Sequence, residues 1–193
     1  MTLIAIVYHS GYGHTARQAE AVATGALTVA DTNIALVKVE DVDQHWSTLE
    51  QSDAIILGSP TYMGSASAPF KAFMDASSKA WAGQKWKDKF AAGFTNSASQ
   101  SGDKLNTLQQ LAVFAAQHGM IWIGLGLMPG NNTSNSSPND LNRLGSYLGA
   151  MAQSNADQGP EFGPTAADLK TAEHLGSRVA NICRRWSLSD AKI

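Results

Sequence analysis

The chain has 193 residues, 44% of them hydrophobic, with 14 Lys and Arg against 16 Asp and Glu for a formal net charge of -2. That is enough apolar material for one core and no linker divides it, so residues 1–193 read as a single domain. The balanced charge, with no basic run beyond Arg184-Arg185, argues against nucleic acid and anionic membranes. The single Cys183 excludes an internal disulfide, and the lack of a signal-like segment or of roughly 18 consecutive apolar residues points to a cytoplasmic protein.

The first apolar run, residues 3–8, predicts a buried strand that empties into Ser10-Gly-Tyr-Gly-His-Thr15, after which Ala16, Ala19, Ala23, Ala26 and Ala30 recur at helical spacing. Small residues in that pattern let a helix lie close to a sheet. A second strand at 34–39 leads to a short acidic helix at 43–50. A third at 54–57 leads to a helix that opens at Pro69 and lines up Phe70, Phe73, Met74 and Ser77. A fourth strand, 90–94, precedes a helix over 103–118 with Leu105, Leu108, Leu111 and Ala115 on one face. The fifth strand, 121–125, is followed by a Pro-, Gly-, Asn- and Ser-rich loop over 127–163, a length that is usually functional or disordered. The last helix carries Leu169, Ala172, Leu175, Val179, Ile182 and Trp186, with Cys183 on or beside that stripe as an inert thiol. Five βα units in this order predict an α/β fold: a doubly wound, five-stranded parallel sheet, order 2-1-3-4-5, with helices on both faces.

Three loops at the carboxyl ends of strands one, three and four share one chemistry. Ser10–Thr15, Gly58-Ser-Pro-Thr-Tyr-Met-Gly-Ser65 and Thr95-Asn-Ser-Ala-Ser-Gln-Ser-Gly102 are all small, polar and rich in hydroxyls. In such a sheet they converge beside strand one, where the strand order reverses and ligands bind. The first loop suits a phosphate, which the unpaired N–H groups of the following helix, Gly11, Gly13 and the hydroxyls of Ser10 and Thr15 would hold without Lys or Arg. The third offers Tyr62 and Met63 to a flat ring. Gly11-Tyr-Gly-His-Thr-Ala16 also fits a relaxed dinucleotide fingerprint with Glu40 as ribose acid, and His14 and His118 both suit structural roles at helix ends.

Ser10–Thr15, Gly58–Gly64 and His118-Gly-Met120 resemble the three motif blocks of the flavodoxin-like NAD(P)H:quinone oxidoreductases, the WrbA group of FMN enzymes, in order and spacing over most of the chain. The resemblance implies an oxidoreductase that takes a hydride from NADH or NADPH onto FMN and passes two electrons to a quinone-like acceptor. It implies that Ser10, Gly11, Tyr12, Gly13, His14 and Thr15 bind the FMN phosphate. Ribityl and ring would then fall to Pro60, Thr61, Tyr62, Met63 and Gly64 with Asn96, Ser97, Ala98, Ser99, Gln100 and Ser101. His118, Trp81 and Tyr12 would border the reacting face, Trp81 from a neighbouring subunit of a homodimer or homotetramer, and no metal is implied. Three features depart from the family: the loop after strand four has less glycine, the connection after strand two is short, and Tyr62 replaces Arg. The alternative is a one-electron flavodoxin carrier without substrate turnover. Carriers of that kind are strongly acidic, and this chain is not.

Overall fold

In the computed structural model, which describes residues 1–190, the opening run becomes the strand β1 (Thr2–Tyr8), followed by α1 (His14–Leu27) and β2 (Thr32–Lys38). A 3-10 turn (Val39–Gln44) and α2 (Trp46–Gln51) lead to β3 (Ala54–Tyr62), a two-residue β4 (Ser65–Ala66), α3 (Ala68–Ala76) and α4 (Ser78–Ala82). The chain closes with β5 (Phe90–Ser97), α5 (Lys104–Gln117), β6 (Ile121–Trp122), β7 (Ala150–Gln153) and α6 (Ala166–Asp190).

The parallel sheet runs β2-β1-β3-β5-β6, with the edge completed by β7, so the five strand positions follow the expected 2-1-3-4-5 order. Alternation along β1 sorts its side chains between two cores. Ile4 and Ile6 pack under α1 and α6, while Ala5 and Val7 face α3 and α5, and all four are fully buried. A strand buried on both faces has to be apolar throughout, which is why the sequence shows a run and not an alternation.

The alanine stripe of α1 does what its spacing predicts as far as Ala26. Ala30 is a correction: the helix stops at Leu27, Ala30 is exposed, and Val29 fills the core instead. Small residues let α1 and α6 touch backbone to backbone, since a Cβ on Gly25 would collide with the Glu173 carbonyl and one on Gly176 with the Val22 carbonyl. The acidic helix expected at 43–50 is split into the 3-10 turn and α2. On α5 the buried face carries Lys104, Thr107, Leu108, Leu111 and Phe114, and Leu105 is half exposed. That face turns because polar Lys104 and Thr107 are drawn in toward the carboxyl edge of the sheet. Trp186 is likewise half exposed and meets Phe90 edge-on, at a centroid distance of 5.7 Å. Cys183 is buried, and burial pushes its thiol up to about 12, which keeps it inert.

The largest correction concerns the fifth strand. It is interrupted after Trp122 and resumes at Ala150, so residues 123–149 are an insertion within a strand and only the later part of the predicted loop lies at the carboxyl edge. Trp122 Nε1 donates to the Leu148 carbonyl at 2.9 Å and ties the two halves together. Gly149 permits the return, because a Cβ there would run into the Gly93 carbonyl. Two alanines and a methionine in β7 gave too short an apolar run to be read as a strand.

Candidate functional site

β1 delivers His9 and Ser10 to the carboxyl edge, and the turn that follows is shaped by Gly13, at φ 87° in the left-handed region. No side chain of the N-cap residue closes α1. The Ser10 hydroxyl accepts the Ala16 N–H at 3.0 Å, which leaves the earlier amides of that turn aimed out of the helix end. Thr15 is buried beside them.

The loop after β3 is braced from below. His9 Nδ1 bonds the Ser67 hydroxyl at 2.8 Å, and the Ser59 hydroxyl accepts the Ser67 N–H at 3.0 Å, so β1 and the β3–β4 hairpin are locked in register. Thr61 is fixed by its hydroxyl, which donates to Thr107 and shares a second bond with Thr95, both at 2.8 Å. Its backbone is thus what remains for a ligand. Tyr62 leans back over the first loop: a Cβ on Gly11 would meet its phenol oxygen at 2.7 Å, and its ring meets Tyr12 edge-on at 6.2 Å. Burial, then the neighbouring Tyr12, raises the Tyr62 phenol above its ordinary 10.0, so it stays a neutral donor.

The third wall is β5 and the segment that follows β7. The Ser154 hydroxyl donates to Asn96 Oδ1 at 3.1 Å, and the Gln153 amide donates to the Ala98 carbonyl at 2.9 Å. From there residues 155–160 fold back over α1, where His14 Nε2 donates to the Gln158 carbonyl at 3.0 Å and Arg17 to that of Pro160 at 3.3 Å.

Together these walls enclose a cleft of about 460 Å³. Of the residues singled out in the sequence, Ser10, Tyr12, His14 and Thr15 line it from the first loop, Pro60, Thr61 and Tyr62 from the second, and Asn96, Ser97 and Ala98 from the third. Gly11 and Gly13 supply the backbone beside it. Met63 and Gly64 form the tip of the hairpin, both at positive φ, with Met63 fully exposed. Gln100 and Ser101 line a neighbouring groove, and the Ser99 carbonyl accepts a bond from Lys104. His118 and Trp81 are not brought to this cleft within the chain. They line a separate cavity of about 570 Å³ between α3, α4 and α5, where His118 is buried, bonded to the Ser77 hydroxyl at 2.9 Å and tilted at 31° against Trp86 with centroids 4.3 Å apart.

Sequence reading missed Ser154, Asn155, Ala156, Gln158 and Gly159, which also line the cleft. Their only signal was position after the last strand. It missed His9 and Lys104 too, since a lone His or Lys in a polar stretch carries no pattern.

The residues present fit FMN. None of those lining the cleft is Lys, Arg, Asp or Glu, so an anionic phosphate there meets amides and hydroxyls; Lys38, Glu40 and Asp41 line the groove on the other side of Ser10 and Gly13. The turn at Gly13 packs against the Pro160 ring, which a Cβ there would meet at 2.7 Å. Among the described residues no cluster of His, Cys, Asp and Glu could hold a metal ion, and no helix is long and apolar enough to cross a membrane.

The family described as NADPH-dependent FMN reductase matches residues 13–132. Flavodoxin FldP of Pseudomonas aeruginosa is 44% identical over 94% of this chain and 97% of its own length. An NAD(P)H dehydrogenase (quinone) of Archaeoglobus fulgidus is 30% identical over 96% and 99%. Among solved structures, a flavodoxin, WrbA-like protein from Agrobacterium tumefaciens is 44% identical, with a TM-score of 0.75 over 96% of this chain and 99% of that one.

Proposed function

From its membership in the flavodoxin-like, WrbA-type family of FMN-dependent reductases, to which this chain belongs, we infer that the cleft holds FMN and that the oxidoreductase passes electrons from NADH or NADPH to a quinone-like acceptor. The observation that carries this reading is the uncharged, hydroxyl-lined cleft at the open N-terminus of α1. Bound FMN supplies the capacity to take up a hydride and release two electrons, and the chain supplies position and electrostatics.

The phosphate falls to the first-turn amides of α1 with the Ser10 and Thr15 hydroxyls. The strand ends at Thr61 and at Asn96–Ala98 provide backbone donors and acceptors for ribityl and ring, and the rigid hydroxyl chain through Thr107 keeps them from shifting. Tyr12, exposed at the rim, and Tyr62 beside it border the face open to donor and acceptor. Within one copy His118 and Trp81 line a different cavity, so they serve that face only where a homo-oligomer brings a second copy's cavity to it. Anaerobic mixing of FMN-loaded protein with NADH or NADPH should bleach the visible flavin band, and quinone should restore it. An unbleached spectrum overturns the reading.

The name of the 44% identical flavodoxin favours a second reading, a carrier that turns over no substrate of its own. A net charge of -2 gives such a carrier little field with which to find a basic partner. Steady oxidation of NAD(P)H by quinone in the presence of catalytic amounts of the protein separates the two, because a carrier shows none.

A further inference from the structure

Lys104 opens α5 with its side chain fully buried, and its ammonium donates 2.8 Å bonds to the Ser97 hydroxyl and to the carbonyls of Ser99 and Gln100. Three donors meet three acceptors, one on the last residue of β5 and two in the loop that follows it. Ser97 and Ala98, where the strand gives way to that loop, line the cleft. The ammonium is therefore one hydroxyl away from it.

The surrounding charges leave this cation unbalanced. Asp168, in the first turn of α6, is claimed by Arg143 through bonds of 2.8 and 2.7 Å, so that buried pair adds no net charge. Asp103, next to Lys104 in the chain, is exposed to solvent. Burial outweighs the attraction of Asp168 and pulls the Lys104 ammonium down to about 8, which still leaves it charged at neutral pH. No acidic residue lines the cleft to cancel its field.

We propose that Lys104 is a positioning residue that shapes the Ser97–Gln100 loop around FMN and whose charge favours the reduced flavin over the oxidised one. Uptake of two electrons and one proton leaves reduced FMN one unit more negative, so a fixed cation beside the cleft binds the two forms unequally. The inference rests on the FMN reading above. Screened at an effective dielectric of about 20, one unit charge about 12 Å from another shifts an equilibrium constant roughly tenfold.

The test measures dissociation constants of oxidised and reduced FMN, anaerobically, by fluorescence and absorbance titration of wild type, Lys104→Met and Lys104→Arg. Lys104→Met should lose roughly tenfold in its preference for the reduced form at pH 7, while Lys104→Arg retains the preference even if both affinities fall. In wild type the preference should decay as pH rises through about 8. A folded Lys104→Met with an unchanged preference, or a Lys104→Arg that loses it equally, overturns the proposal. If Lys104→Met does not fold, Lys104→Gln, which keeps amide donors for the loop oxygens without the charge, decides: an unchanged preference for the reduced form overturns the proposal. Wild-type protein that binds neither form refutes the FMN reading itself, and this proposal with it, before any variant is compared.

Discussion

His14 Nε2, in the first turn of α1, donates a 3.0 Å hydrogen bond to the backbone carbonyl of Gln158, so the segment that follows the last strand is fastened across the mouth of the first loop. His14, which itself lines the cleft, therefore also closes the wall formed by Gln158 and Gly159. His14→Ala removes one bond worth about 1 kcal/mol. FMN affinity should fall roughly three- to tenfold, with little change in melting temperature because the bond is solvent-exposed. Fluorescence quenching on FMN titration measures the first and a thermal melt the second; unchanged affinity would remove the strap from the site.

Asp168 closes the far end of the same wall. Its carboxylate takes both bonds from buried Arg143 and accepts the Gln153 N–H at 3.0 Å, pinning β7 to α6. Asp168→Asn leaves the guanidinium buried without a counter-charge, a change that costs about 3–5 kcal/mol. Urea unfolding should show an unfolding free energy lower by that amount, far beyond the effect of breaking the exposed Lys71–Asp75 pair by Asp75→Asn.

His118 gives stability a pH dependence. Burial holds its imidazole down to about 4 against an ordinary 6.5, and its Nδ1 has no hydrogen-bond partner to welcome a proton. Between those values the unfolded chain binds a proton that the folded chain refuses, so this group's contribution is intact above about 6.5 and is lost as pH falls toward 4. The slope approaches about 1.4 kcal/mol per pH unit. His118→Gln, which keeps a partner for Ser77, should flatten that part of the urea stability profile between pH 6.5 and 4. A parallel profile for the two proteins would contradict it.

The fold and the glycine turn that opens α1 were legible because they are local. A run of apolar residues, a glycine turn and an alanine stripe each declare themselves within a dozen residues, and Ser10–Thr15 sits where strand one must end. The split of the fifth strand was not legible, because β7 is four residues long, is separated from the end of β6 by 27 residues and is recruited only by pairing with β5. The part of the third wall that follows β7 was hidden for the same reason. Lys104 was hidden by its type: a lysine at a helix start reads as surface, and only the three oxygens converging on it explain its burial. Leu105 was misplaced as a consequence, since the buried lysine turns the helix.

The central claim is that the open N-terminus of α1, with Ser10, Thr15 and Gly13, is the phosphate end of an FMN site. Parallel fluorescence titrations of apoprotein with FMN and riboflavin test it directly, because the two ligands differ only in that phosphate. One FMN should bind per chain, with riboflavin weaker by roughly a hundredfold or more, in line with two or more charge-assisted hydrogen bonds lost. Equal affinity for the two ligands, or no binding of FMN, would contradict the account.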